Sequence, residues 1–224
     1  MCNGKRLYTE RNTVKYDLVI WDWNGTLLDD VSASLRSVND MLDRRNMERI
    51  DLVRYRECIG VPIRCFYEQV FDMEKEEYTS LLREYNDGYE YYVNLDCTVA
   101  PGAEELLGKI RNAGVRQILV SSCEKNQLAD AIAKFDIGGY FDAVLGAEDF
   151  LATSKIDRAV DYVNSNMKPG AKILAVGDII HDYDLAKTVG ADCVLVKTGH
   201  ENTKKIDSSG ANIAETVAEV EKYL

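Results

Sequence analysis

The sequence predicts a doubly wound α/β fold: a parallel sheet covered by helices on both faces, with a helical insert after the first strand. Three observations lead there. Short apolar runs rich in Val, Ile and Leu recur along the chain, candidate helices separate the later runs, and residues 32–98 carry helical patterning with no strand run among them. Near-continuous apolar runs suit strands buried on both faces, and strands alternating with helices are the pattern of a parallel sheet.

The first run is "DLVIWDW" (17–23), which stops at Asp22 and is followed by "NGTLLDD". Four helical patterns come next: "SASLRSVNDMLDRRN", "DLVRYRECIG", "PIRCFYEQVF" and "EKEEYTSLLREYNDGYEYYV". Pro62, after Gly60, suits the first turn of the third of these helices. The alternation restarts with "APGAEELLGKIRNAG", where Pro101-Gly102 marks a boundary and Gly114 a helix stop. Strand runs follow at "VRQILVSS" (115–122), "AVLGA" (143–147), "KILAVGD" (172–178) and "DCVLVKT" (192–198). Between them lie the helical stretches "KNQLADAIAKF", "SKIDRAVDYVNSN" and "DYDLAKTVG".

Composition narrows the function. The 224 residues carry a formal charge of −11, which argues against partners held by bulk positive charge, nucleic acid and anionic membranes among them. An anionic ligand would need a local cation. No run approaches the roughly 18 apolar residues of a membrane span, and the N-terminus has no apolar signal region. Six scattered cysteines (Cys2, Cys58, Cys65, Cys97, Cys123, Cys193) show no metal-ligand spacing and read as free thiols of a reducing cytoplasm. Two histidines, His181 and His200, leave little material for a zinc site or a histidine-based triad.

Ligands of doubly wound sheets bind beyond the carboxyl ends of the strands. Asp22, Ser121 and Asp178 fall there, with Lys155 and Asp182 close behind in sequence. Carboxylates, a hydroxyl and a lysine are the materials of phosphoryl transfer. A carboxylate can attack phosphorus, Mg²⁺ takes hard oxygen ligands, and cationic or hydroxyl donors stabilise charge on the transferring oxygens.

In order along the chain, "DWNGT", "ILVSS", "TSKID" and "VGDIIHD" resemble the four motifs of the haloacid dehalogenase superfamily, over about residues 16–198. The insert resembles the helical cap of its phosphoglycolate phosphatase-like branch, and "IGVPIRCF" (59–66) its substrate-facing loop. The resemblance implies a core of residues 1–31 and 99–224, a cap of 32–98, and a Mg²⁺-dependent hydrolase of a small phosphorylated metabolite acting through an aspartyl-phosphate. It makes Asp22 the nucleophile and gives Gly25 and Thr26 the turn beside the substrate. It makes Ser121 a phosphate donor, with Ser122 competing for that role, and Lys155 the charge-balancing lysine, although the proline context familiar after that lysine is missing. Asp22, the Asn24 backbone carbonyl, Asp178 and Asp182 become the metal ligands.

Arg64 suits a clamp for a substrate anion. Tyr85, Tyr89, Tyr91 and Tyr92 read as packing between cap helices, Asp184 as a solvated helix residue, His181 as a loop neighbour of the metal, and His200 as a surface residue. Asn24 departs from the family pattern, which has an acid there to protonate the leaving group and activate water. General acid–base catalysis contributes about 10²–10⁴-fold, so the amide removes about 3–5 kcal/mol of barrier lowering unless the leaving group is good or another group supplies the proton. Two alternatives stand beside the phosphatase. One is a phosphonate-cleaving hydrolase, for which the insert offers only Lys75, in the acidic stretch "DMEKEEY". The other is a weakened, ligand-binding relative.

Overall fold

A computed structural model describes residues 14–148 and 155–224. Cys2 and the N-terminal segment lie outside the described residues, as does Ser154, immediately before Lys155. The chain runs β1 (Leu18–Trp21), β2 (Leu28–Asp29), α1 (Val31–Arg44), α2 (Leu52–Cys58), α3 (Arg64–Val70), α4 (Tyr78–Asp96) and β3 (Thr98–Val99). It continues α5 (Ala103–Asn112), β4 (Arg116–Glu124), α6 (Lys125–Lys134), β5 (Ala143–Ala147), α7 (Lys155–Asn166), β6 (Ile173–Gly177), α8 (Ile180–Val189), β7 (Asp192–Val196), α9 (Thr203–Asp207) and β8 (Asn212–Ala214).

Six strands form one sheet in the order β5-β4-β1-β6-β7-β8, and every pairing in it is parallel. The doubly wound fold is therefore observed. Successive side chains of a strand point to opposite faces. Val19 and Trp21 accordingly join one apolar cluster with Leu106, Leu107 and Ile110 of α5, while Leu18 and Ile20 join another with Ala159 of α7 and Leu185 of α8. On the first face a buried amide bridges layers: Gln117 accepts from Trp21 Nε1 at 3.1 Å and donates to the Leu107 carbonyl at 3.0 Å.

Helices α1–α4 have an apolar cluster of their own, built on Val38, Met41, Leu42, Tyr55, Phe66, Tyr67 and Leu81. Asp51 and Glu77 start α2 and α4 by accepting the orphan N–H groups of Arg54 and of Thr79 and Ser80. Helices α1 and α4 approach closely at Gly88, where a Cβ would lie 2.6 Å from Ser37 Oγ. That approach explains a glycine inside a helix despite its cost of about 1 kcal/mol. The segment leaves and rejoins the sheet domain through a neck in which β2 and β3 pair antiparallel, Leu28 opposite Val99.

Three details differ from expectation. Strand β5 lies at the sheet edge with Val144 38% exposed, so it is not covered on both faces. Pro62 precedes α3, whose first residue is Arg64. The neck strands and β8 escaped notice because two or three residues are too few to show a period.

Candidate active site

Strand β1 lies between β4 and β6, and the chain order runs away from it in both directions. That is the switch point at which a doubly wound sheet opens a crevice beyond its strand ends. The register fixes what lines it. Trp21 pairs with Leu119 and with Val176, and the Asp22 N–H donates to the Val176 carbonyl at 2.9 Å. Asp22, Ser121 and Asp178 therefore leave three neighbouring strands at one edge.

A tight turn follows. The N–H groups of Thr26, Leu27 and Leu28 all point to the Trp23 carbonyl, at 3.3, 3.0 and 2.9 Å. Gly25 sits at φ +72°, where side chains are disfavoured, and a Cβ there would meet the Asp178 carboxylate and, at 2.5 Å, His200 Cδ2. The turn returns Thr26 Oγ1 to 3.4 Å from Asp22 Oδ2 and 3.2 Å from Asp178 Oδ1.

The charged centre is buried. Lys155, 3% exposed, places its ammonium 2.6 Å from Asp22 Oδ1 and against Asp182 Oδ1. Lys155 is thus no surface helix residue. Asp182 stands in the first turn of α8, where its other oxygen accepts the backbone N–H groups of Asp178 and Ile179 at 3.0 and 3.1 Å. Asp178 Oδ2 accepts the His200 N–H at 2.6 Å. Burial pushes the Asp22 carboxyl up, and the Lys155 charge opposes that rise. Burial also pushes Asp178 well above the carboxylate range, with Asp22 and Asp182 adding repulsion against the opposing His200 charge. Burial works against the Lys155 ammonium, but Asp182 and Asp22 overcome it and keep it protonated.

Carboxylate oxygens of Asp22, Asp178 and Asp182 all lie within 4.8 Å of one another. The donor set is hard oxygen only, and its negative charge exceeds what the single lysine balances. Both features fit Mg²⁺. Asp22 and Asp178 are the acids with oxygens least engaged by backbone donors. Asp182 is engaged on both oxygens, which suits an orienting ligand acting through water.

Beside this centre stands a second polar group. The Asp30 carboxylate, 1% exposed, accepts four hydrogen bonds: from the Gly25 N–H at 2.7 Å, Asn24 Nδ2 at 2.9 Å, the Tyr89 hydroxyl at 2.6 Å and the His200 ring at 3.1 Å. Burial pushes Asp30 up, but the His200 charge and these donors outweigh it and hold the carboxyl below its usual range. Burial pushes the His200 imidazole down, but the Asp30 charge reverses this and lifts it to about 9. Its other nitrogen lies 2.9 Å from the Tyr55 hydroxyl of α2.

Several expectations are corrected. His200 is largely enclosed against Asp30, with 12% of its side chain exposed, and is not a free surface residue. Tyr89 contributes its hydroxyl to Asp30 and Asn24 as well as stacking on Tyr85. Tyr91 is 63% exposed, and its ring meets Tyr92 of the same helix edge-on instead of packing between helices. Arg64 is not brought to the acid cluster: its exposed guanidinium pairs with Glu68 at 2.8 Å and lies over the Tyr78 ring. Ser122 is exposed, whereas Ser121 is 1% exposed and its Oγ accepts the Cys123 N–H at 3.1 Å. Lys75 is exposed and paired with Asp72, in no position for a desolvated amine. Asp184 is solvated and pairs with Lys187. Among the described residues the cysteines are free thiols and no helix is long and apolar enough to cross a membrane. A signal for His200 did exist, since "KTGH" follows β7 at the same sheet edge. Asp30 lay unremarked in "LLDD".

Known proteins share this architecture. A phosphoglycolate phosphatase of Pseudomonas fluorescens is 28% identical over 202 residues, covering 84% of this chain and 72% of the relative. A 5′-nucleotidase of Pseudomonas aeruginosa is 26% identical, covering 83% of this chain and 85% of the relative. The solved structure of a haloacid dehalogenase-like family hydrolase of Streptococcus pneumoniae superposes with a TM-score of 0.79 at 16% identity, covering 93% of this chain and 98% of that one, which speaks to fold alone. The haloacid dehalogenase-like hydrolase model matches residues 19–196, and the chain belongs to that family of hydrolases.

Proposed function

We propose that the protein is a Mg²⁺-dependent phosphatase of small phosphomonoesters, working through an aspartyl-phosphate on Asp22. The observation that carries the reading is the buried arrangement of Asp22 between Lys155 and Thr26 at the end of β1, with Asp178 and Asp182 beside it. Relatives with phosphatase and nucleotidase names support the substrate class.

An Asp22 oxygen attacks phosphorus, the bond to the leaving-group oxygen breaks, and that oxygen departs with the electron pair and takes a proton. Water then attacks the phosphorus of the acyl phosphate, releasing inorganic phosphate and restoring the carboxylate. Lys155 holds Asp22 in its ionised, attacking form and faces the developing negative charge. Ser121, whose Oγ accepts the Cys123 N–H and keeps its own hydrogen, donates to a phosphate oxygen, and the Gly25–Thr26 turn lies beside the substrate. Asp22, the Asn24 carbonyl and Asp178, with Asp182 through water, would hold Mg²⁺, which would supply charge neutralisation for the phosphoryl group when bound. The segment 32–98 serves as a cap that excludes water while the first step proceeds. Residue 24 lends no exchangeable acid proton, so turnover is highest on esters whose leaving group departs without protonation.

The test is phosphate release from a panel of phosphomonoesters with Mg²⁺ or EDTA, run beside Asp22→Ala. Release that needs Mg²⁺ and disappears in Asp22→Ala is the expected result. Activity that persists in Asp22→Ala, or no release from any ester, refutes the proposal.

A further inference from the structure

Asn24 uses its side-chain nitrogen twice, toward Asp30 Oδ2 at 2.9 Å and toward the Tyr89 hydroxyl at 2.6 Å. Tyr89 donates its own hydroxyl hydrogen bond to the same Asp30 oxygen at 2.6 Å. Three groups from two parts of the chain thus close a ring: the nucleophile loop (Asn24), the entrance to α1 (Asp30) and helix α4 (Tyr89). Every hydrogen in it runs toward Asp30, whose other oxygen is taken by the Gly25 N–H and His200. The ring is directional. A carboxylate at position 24 has no hydrogen to offer and would set its oxygens against those of Asp30, which is 1% exposed and whose other oxygen is already taken.

We propose that Asn24 is a positioning residue that latches the nucleophile loop to helix α4 through Tyr89, and that the amide at 24 is matched to the carboxylate at 30 as an exchangeable pair. The site keeps its second carboxylate, moved six positions along the chain. Asn24 sits two residues from Asp22, and its neighbour Gly25 is held by Asp30, so the latch fixes the turn that aims the nucleophile. At the far end of the pair, Tyr55 of α2 meets His200, which joins the helical segment to the same carboxylate from a second side.

The kinetic consequence rests on the phosphatase reading, whereas the pairing itself does not, and the experiment separates them. Asn24→Asp, Asp30→Asn, the exchange Asn24→Asp/Asp30→Asn, and Tyr89→Phe are compared with the parent protein. Urea midpoints are read in EDTA, and kcat and KM for p-nitrophenyl phosphate are read at a temperature below every unfolding transition. The latch requires Asn24→Asp to lose at least tenfold in kcat/KM, and the exchange to exceed the product of the two single effects by at least fivefold, with the same sign of coupling in the urea midpoints. Asn24→Asp at or above parental activity, or an exchange no better than the product of the singles, overturns it. A parent protein without phosphatase activity defeats the phosphatase reading, and the urea cycle alone then decides the pairing. Should Asn24→Asp not fold, Tyr89→Phe carries the test through the loss of one hydroxyl: a lower urea midpoint and a fivefold fall in kcat/KM support the latch, and unchanged values in both overturn it.

Discussion

Replacing Lys155 by methionine keeps the length of the side chain and removes the only ammonium among the described residues that faces Asp22 and Asp182. Both acids are buried, at 8% and 3% exposure, so neither can recover its solvation by turning to water. Removing one partner of a buried ion pair leaves an uncompensated charge and costs about 3–5 kcal/mol. For a chain of this size each kcal/mol moves the midpoint by about 2–4 °C, so a fall of roughly 10 °C is expected at pH 8 in EDTA. The loss depends on pH in a defined direction. Burial already holds the Asp22 carboxyl above its ordinary 3.8, and Lys155 is what restrains the rise. Without the lysine the folded carboxyl moves further up, and the native state binds a proton that the unfolded state releases. Stability is then fullest below pH 3.8 and falls as pH rises through the folded value. The loss measured at pH 5 is therefore smaller than at pH 8, because protonated Asp22 no longer needs the lysine. Differential scanning fluorimetry of both proteins at the two pH values checks this. A midpoint within 2 °C of the parent at pH 8, or equal losses at both pH values, would falsify the assignment of Lys155 as the counter-charge.

Three other changes have directions fixed by single contacts. His200 is lifted from 6.5 to about 9 by Asp30, so the metal-free protein holds this contribution in full below pH 6.5 and loses it as pH rises to about 9. The shift corresponds to at most about 3 kcal/mol, and His200→Asn flattens urea stability over that window; an unchanged slope refutes the pairing. Gly25→Ala places a methyl against Asp178 and His200 at a positive φ, so destabilisation above about 2 kcal/mol is expected, with scanning calorimetry as the check. Gln117→Leu leaves Trp21 Nε1 without its acceptor under the sheet and lowers urea stability by about 1–3 kcal/mol, while a neutral result shows the indole finding another partner.

The strands of the sheet were legible because burial on both faces writes itself as continuous apolar runs, and Asp22, Ser121 and Asp178 were legible because such runs must end at the crevice. Lys155 needed its motif order, since a lysine opening a helix looks solvated until the sheet edge is placed above it. The Asp30–His200 pair was not legible. The two residues are 170 positions apart, and nothing in "LLDD" or "KTGH" says that one carboxylate gathers four donors. Tyr89 was hidden for another reason: a tyrosine stripe on a helix reads as packing, and only the hydroxyl partner distinguishes Tyr89 from Tyr85, whose hydroxyl ends on Ser34. Arg64 was misplaced because a charge near a substrate-facing loop has no direction in sequence, and an acid four residues along its own helix claimed it.

The charge of the site leads to a prediction about metal that needs no turnover. Among the described residues, Asp22, Asp30, Asp178 and Asp182 face one lysine and one charged histidine, which leaves two negative charges in excess. His200 is engaged by Asp30, and Lys155 by Asp22 and Asp182, so Asp178 retains only the His200 N–H and the Thr26 hydroxyl. Metal-free protein relieves that excess by taking up protons, as the raised Asp22 and Asp178 carboxyls indicate. On the proposed reading a divalent cation would replace those protons. Mg²⁺ at 100 times its Kd should therefore raise stability by about 2.7 kcal/mol, or roughly 5–10 °C in midpoint. Because binding displaces protons, the shift is larger at pH 8 than at pH 5. Asp178→Asn removes the carboxylate with the weakest counter-charge, so it raises the stability of the metal-free protein and abolishes the Mg²⁺ shift together. Should Asp178→Asn keep the full Mg²⁺ shift, the cation binds elsewhere. Should the metal-free variant be less stable than the parent at pH 8, the excess charge is not where these contacts place it.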